Sequence, residues 1–185
     1  MRLFFGVPVD EPVRERVAEL QERLKAAAGK VSWEQPAKFH FTLRFLGEMP
    51  EERVLRIAEA ADTVWAVARP GQVVLRGIGA FPSPRSPRVI WVGVAEGAEV
   101  IGGLEKALSA ALVEAIRFPR EKRTFTPHLT IGRVRVPRRD PGLEAAIADL
   151  ADAAVGRFDV SRLVLYQSIL GPSGSVYRVV KAYDA

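Results

Sequence analysis

A chain of 185 residues, 48% of them hydrophobic and 26% charged, can bury a sizeable core and has the composition of an ordinary globular protein rather than a fibrous or disordered one. It has no cysteine, which excludes disulfides, thiolate nucleophiles and cysteine-held metals. Its 27 Lys and Arg against 22 Asp and Glu leave a formal charge of +5, an excess that favours a phosphate-bearing partner.

In chain order, Arg2-Leu3-Phe4-Phe5-Gly6-Val7-Pro8-Val9 reads as a first strand. The run is too short for a signal peptide or a membrane span, so the cytoplasm is the expected compartment. Asp10 then caps a helix with Pro12 in its first turn, apolar Val13, Val17, Leu20 and Leu24 on one stripe, and Gly29 at its end. Residues 31–35 and 39–46 read as strands. Pro50 and Glu51 open a second helix with Val54, Ile57, Ala61 and Val64 or Trp65 facing inward. Strands at 72–79 and 88–94 flank the stiff basic loop Phe81-Pro82-Ser83-Pro84-Arg85-Ser86-Pro87. A long helix covers 97–116, and a loop bearing Arg117, Arg120, Lys122 and Arg123 leads to a strand at 127–134. A short helix spans 141–153. Strands at 161–169 and 175–183 then flank the turn Gly171-Pro172-Ser173-Gly174. The fold class expected is α+β. Two pseudo-symmetric lobes, each a sheet with helices packed outside, form one structural unit over 1–185 with a central cleft between them. The chain lacks Asn and has two Met, an avoidance of heat-labile residues that points to a thermophile.

Both histidines of the chain lie in the same frame, His-apolar-Thr-apolar: His40-Phe41-Thr42-Leu43 and His128-Leu129-Thr130-Ile131. With five threonines in 185 residues, two such coincidences have a chance of roughly one in 1,400. On a strand, residues i and i+2 share a face, so each imidazole stands beside a threonine hydroxyl while the apolar partners face the core. Two imidazoles and two hydroxyls on facing strands make an acid–base pair around a small oxyanion. A metal site is the rival reading of paired histidines. It needs further ligands, and neither frame has an Asp, Glu or Cys at i±2, so no metal is expected.

Alternation also places Arg44 on the His40–Thr42 face, where its cation can approach a phosphate. Strict alternation turns Arg133 away from His128 and Thr130, unless Gly132 permits a bulge that turns it back. Phe45, Phe81 and Phe125, with Trp33 and Trp91 nearby, are candidates to stack a base, one or two of them at most. Arg120 and Arg123 in the run before the second frame are candidates to meet an RNA backbone.

The frames and the words around them resemble the two-histidine phosphoesterase superfamily. They are most similar to its bacterial and archaeal RNA 2′,3′-cyclic phosphodiesterases, historically named 2′-5′ RNA ligases (LigT-like). The resemblance rests on Phe4-Phe5-Gly6-Val7-Pro8, His40 to Glu48, Phe81-Pro82, Thr126 to Arg133, and Leu165-Tyr166-Gln167-Ser168 followed by Gly174. It implies an enzyme without cofactor that opens a terminal 2′,3′-cyclic phosphate of RNA, tRNA fragments among its substrates, to a 2′-phosphomonoester. His40 would then be the proton donor to the departing 3′-oxygen and His128 the proton acceptor from water. Thr42, Thr130 and Arg133 would hold the phosphate. A monomer without membrane association is expected. Two other readings share these residues: a ligase forming 2′-5′ linkages through the same site, and a nucleotide- or RNA-binding module without turnover.

Overall fold

The computed structural model describes residues 1–68, 71–121, 123–136, 139–171 and 174–185. Lys122 of the basic loop and Pro172-Ser173 of the C-terminal turn lie outside the described residues. The elements are β1 (Arg2–Pro8), α1 (Glu11–Ala27), β2 (Ser32–Trp33), β3 (His40–Glu48), α2 (Val54–Val67), β4 (Gln72–Phe81) and β5 (Val89–Glu96). They continue as α3 (Ala98–Ile116), β6 (Leu129–Arg133), α4 (Pro141–Asp149), β7 (Ala154–Asp159), β8 (Arg162–Gly171) and β9 (Gly174–Asp184).

Local chemistry sets the helix starts. The Asp10 carboxylate accepts from Val13 N–H at 3.1 Å and Asp140 accepts from Leu143 N–H at 3.1 Å, each satisfying one of the donors a helix leaves free at its first turn. The buried face of α1 is Val13, Val17, Leu20 and Leu24 as expected, with Gln21 added. Three expectations shift. The strand expected over 31–35 shrinks to two residues, because Pro36 opens a short 3₁₀ turn. The helix expected to reach residue 153 stops at Asp149. Ala154–Asp159, for which the sequence pattern gives no strand, is β7. Its Ala, Gly and Asp are poor strand formers, and what holds it extended is pairing with β4 from Gln72↔Asp159 to Arg76↔Ala154, with Val155 and Phe158 buried beneath.

The strands form one sheet in the order β7-β4-β5-β6-β3-β1-β8-β9, with β2 paired to β6, and every pairing is antiparallel. The expected sheet in each lobe is thereby corrected to a single continuous sheet. Its two halves meet where β3 and β6 share one pair, Phe41↔Leu129. With β2, β7 and β9 set aside, the chain runs β1-α1-β3-α2-β4 and then β5-α3-β6-α4-β8. The strand order reads the same outward from the β3/β6 joint on either side. Helices α2 and α3 pack together, with α3 against β3; α1 packs on β7 and α4.

The sheet curls strongly. Four strand spacings of about 4.8 Å would separate β3 from β7 by roughly 19 Å if it were flat. Yet the Phe41 and Phe158 rings stack with centroids 6.1 Å apart. Curling wraps one face around a continuous core from Leu3, Phe5 and Val7 through Phe41, Ile90, Leu129 and Leu165 to the helix stripes. The other face carries the alternate residues and holds the histidines. Phe41, 0% exposed, touches both halves of the core. Phe41→Ala is expected to destabilise the fold by about 3–5 kcal/mol, read by denaturant unfolding. A cost below about 1 kcal/mol would mean the halves are held together elsewhere.

Candidate active site

The two histidines are anchored in the same way. His40 Nδ1 lies 2.6 Å from the carbonyl of Lys38, and His128 Nδ1 lies 2.9 Å from the carbonyl of Thr126. A carbonyl only accepts, so each Nδ1 carries a hydrogen and each Nε2 is left to exchange a proton in the cleft. His40 Nε2 sits 3.0 Å from Thr42 Oγ1. Both residues, with Thr42 and Thr130, line one cleft of about 780 Å³.

Close approach of β1 fixes the His40 ring. A Cβ on Gly6 would come within 2.9 Å of His40 Cδ2 and 3.2 Å of the Phe41 carbonyl, so only glycine lets the imidazole lie flat over the strand. Around that ring stand Phe4 at 5.0 Å, Tyr177 edge-on at 5.5 Å and Tyr166 at 5.9 Å. His128 has a sparser setting, with the Phe81 ring edge-on at 5.2 Å and Trp91 behind Phe81 at 5.0 Å. Burial, the largest cause, pushes the His40 pKa below its ordinary 6.5. The Lys38 carbonyl opposes the shift and the Arg133 cation adds to it. Burial likewise raises the Tyr177 and Tyr166 hydroxyls.

Strand irregularities decide which arginine joins the site. The β1–β3 register passes from Gly6↔Thr42 to Phe5↔Arg44, so Leu43 is an extra residue. Leu43 and Arg44 are consecutively buried, and the faces of the strand exchange. Arg44 therefore leaves the face of His40 and Thr42, a correction to its expected place at the phosphate. It is 6% exposed, donates to Glu121 Oε2 at 3.1 Å and to the Pro119 carbonyl, and lies 5.2 Å over the Phe118 ring. The β5–β6 register does the converse. It passes from Trp91↔Thr130 to Ile90↔Gly132, so Ile131 is extra, and Arg133 turns into the cleft lining. Gly132 allows this by lying under Trp33, where a Cβ would meet the indole at 2.8 Å.

Of the other sequence candidates, Phe45 and Phe125 line the cleft, and Phe81 reaches it only through its contact with His128. Arg120 and Arg123 are exposed on the loop before β6 and do not line the cleft. Sequence reasoning misses Arg2, Phe4, Lys38 and Tyr177 as cleft residues. Phe4 and Gly6 could have been found by alternation in β1. Tyr177 could not, since its place depends on the pairing Ser168↔Tyr177 between β8 and β9. Arg2, Lys38, Arg133 and Arg135 line the cleft with a single carboxylate, Glu34, so it favours an anion. Among the described residues no three His, Cys, Asp or Glu side chains gather as a metal-ligand set.

The family of LigT-like phosphoesterases matches residues 7–91 and 94–177, and the chain belongs to it. An RNA 2′,3′-cyclic phosphodiesterase of Methanothermobacter thermautotrophicus is 36% identical over 99% of this chain and 98% of its own length. One from Archaeoglobus fulgidus is 36% identical with 100% of each chain covered. Among solved structures, a protein of Thermus thermophilus matches with a TM-score of 0.83 at 30% identity, covering 100% of this chain and 97% of that one. E. coli LigT complexed with 3′-AMP shares the fold, with a TM-score of 0.72 at 22% identity over 99% and 97% of the two chains.

The two arginines are expected to separate by what their loss does to stability. Arg44→Ala removes a buried, hydrogen-bonded cation and should cost about 1–3 kcal/mol. Arg133→Ala, at an exposed position, should stay within about 0.5 kcal/mol. Denaturant midpoints measure both, and the opposite order would put Arg44 in the cleft after all.

Proposed function

We propose that the chain opens the 2′,3′-cyclic phosphate at the end of an RNA and leaves a 2′-phosphomonoester, the relatives above being RNA 2′,3′-cyclic phosphodiesterases. The observation that carries this reading is the repeated anchoring of His40 and His128 through Nδ1 to the carbonyl two residues earlier. It presents two Nε2 atoms, that of His40 at 3.0 Å from Thr42 Oγ1, to one basic cleft that Thr130 also lines. In-line displacement at phosphorus needs a base on one side and an acid on the other.

Water attacks phosphorus as His128 Nε2 takes its proton. The bond from phosphorus to the 3′-oxygen breaks, and His40 Nε2–H gives that oxygen a proton. The product is a 2′-phosphomonoester beside a free 3′-hydroxyl, and solvent returns a proton from His128 to His40. Thr42 and Thr130 donate to the non-bridging oxygens and Arg133 neutralises their growing charge. Burial keeps His40 largely neutral at pH 7 in the open cleft. An anionic phosphate beside Nε2 favours the imidazolium, so His40 gains its proton as the substrate enters. Phe45, Phe81 and Phe125 offer faces on which the terminal base stacks. Every role falls to a side chain of this protein, so no metal is required. The cytoplasm is the compartment, and RNA the partner, that this reading assigns.

A short RNA ending in 2′,3′-cyclic phosphate is expected to yield the 2′-phosphate at full rate in EDTA. A 3′-phosphate product would exchange the histidine roles, and activity lost in EDTA and restored by a metal would defeat the metal-free mechanism.

His40→Ala and His128→Ala should each lower kcat by roughly 10²–10⁴-fold, with the double variant well short of the product of both. Gly6→Ala, which crowds the His40 ring, should lower kcat in the same direction. NMR titration should place the His40 midpoint below 6.5 in the free protein and move it upward when inorganic phosphate binds. A midpoint that stays put on binding removes His40 as the proton donor.

A further inference from the structure

The helix α1 carries a glutamine where its stripe calls for a hydrophobic residue. Gln21 stands in the buried row with Val17, Leu20 and Leu24 and is 0% exposed. Its Nε2 donates to the Glu34 carbonyl at 2.7 Å and to the Ile131 carbonyl at 2.9 Å. Both neighbours only accept, so the amide nitrogen must face them; a flipped amide would set its oxygen against two carbonyls. The cost lies at the other end, where Gln21 Oε1 is buried with no hydrogen-bond partner among the described residues. A buried amide half satisfied is a poorer core residue than a leucine.

What the amide holds is the place where β6 departs from alternation. Ile131 is the extra residue of that strand, and its carbonyl also accepts from Glu34 N–H at 3.0 Å. Beside it β2 pairs Trp33↔Gly132 and Ser32↔Arg133, and the Trp33 ring lies over Gly132. We infer that Gln21 is a positioning residue that pins the β2 segment to the bulge of β6 and thereby keeps Arg133 turned into the cleft. Without the amide the Glu34 carbonyl loses its donor and Ile131 keeps one of two. The bulge is then free to relax toward regular pairing with β5, which would carry Arg133 to the opposite face. Gln21 does not itself line the cleft. The consequence for catalysis rests on the phosphate role proposed for Arg133; the placing of Arg133 does not.

The test is a cycle of Gln21→Met, which keeps the shape and removes the donors, with Arg133→Ala. The readouts are the His40 midpoint by NMR, kcat/KM on a 2′,3′-cyclic phosphate RNA, and unfolding. The Arg133 cation depresses the His40 pKa, so losing or misplacing it raises the midpoint. Gln21→Met should raise the midpoint as Arg133→Ala does and lower kcat/KM roughly tenfold or more. The double variant should then show no further change in either. A Gln21→Met protein that unfolds more easily but keeps the wild-type midpoint and kcat/KM overturns the inference, and so do effects that add in the double variant. If Arg133→Ala leaves kcat/KM unchanged while Gln21→Met still moves the midpoint, the latch stands and the phosphate role of Arg133 falls. Should Gln21→Met fail to fold, hydrogen-bond couplings in the wild-type protein from the Gln21 side-chain nitrogen to the Glu34 and Ile131 carbonyl carbons decide the matter, and their absence overturns it.

Discussion

A strand shows successive side chains to opposite faces, and a single extra residue reverses every side chain beyond it. Each of the two central strands of this sheet contains such a residue close to its histidine. In β3 the extra Leu43 sends Arg44 behind the sheet, where it ties the strand to the loop after α3 through Pro119, Glu121 and Phe118. In β6 the extra Ile131 brings Arg133 forward. The cation next to the first histidine becomes a structural brace, and the one beyond the second becomes part of the cleft. The place of Arg133 in the cleft, and with it the cation's addition to the lowering of the His40 pKa that burial begins, follows from the second of those insertions.

The two halves agree in backbone and differ in company. Each histidine is held by the same hydrogen bond from Nδ1 to the carbonyl two residues earlier, so the tautomer is set in the same way in both. What distinguishes them is what has been packed around them. Phe4, Tyr166 and Tyr177 wall in His40, and those rings come from β1, β8 and β9 on one side of the joint. Water competes less for a ring so enclosed, and the charged form loses more by being there. His128, flanked by Phe81, lacks that enclosure.

Much of this could be read from the chain. The paired frames, the Asp10 cap, the stripe of α1, the α+β class and the cleft positions of His40, Thr42, His128, Thr130 and Phe125 are local or periodic signals, and such signals survive in a single sequence. Gly132 marked the one place where alternation had licence to fail. Nothing comparable marked Leu43: it is an ordinary strand residue, and the exchange of faces after it comes from its register with β1. Tyr177 and β7 were hidden for a related reason, since a residue on an outer strand acquires its neighbours only when distant segments pair. Gln21 was legible as a polar interruption of an apolar stripe, but its meaning lay 110 residues away in the carbonyl of Ile131.

The repeated connectivity on either side of the β3/β6 joint bears on how such a site arises. Two copies of one half, associating as a symmetric pair, would set the same histidine at the axis twice, with the same surroundings and the same affinity for a proton. Such a pair can hold a phosphate but has no reason to offer it an acid from one side and a base from the other. Joining the copies in one chain removes that equality. Each half can then change without its twin, and the aromatic wall stands against one histidine alone. A fusion of two such halves would let the proposed acid and base diverge in this way.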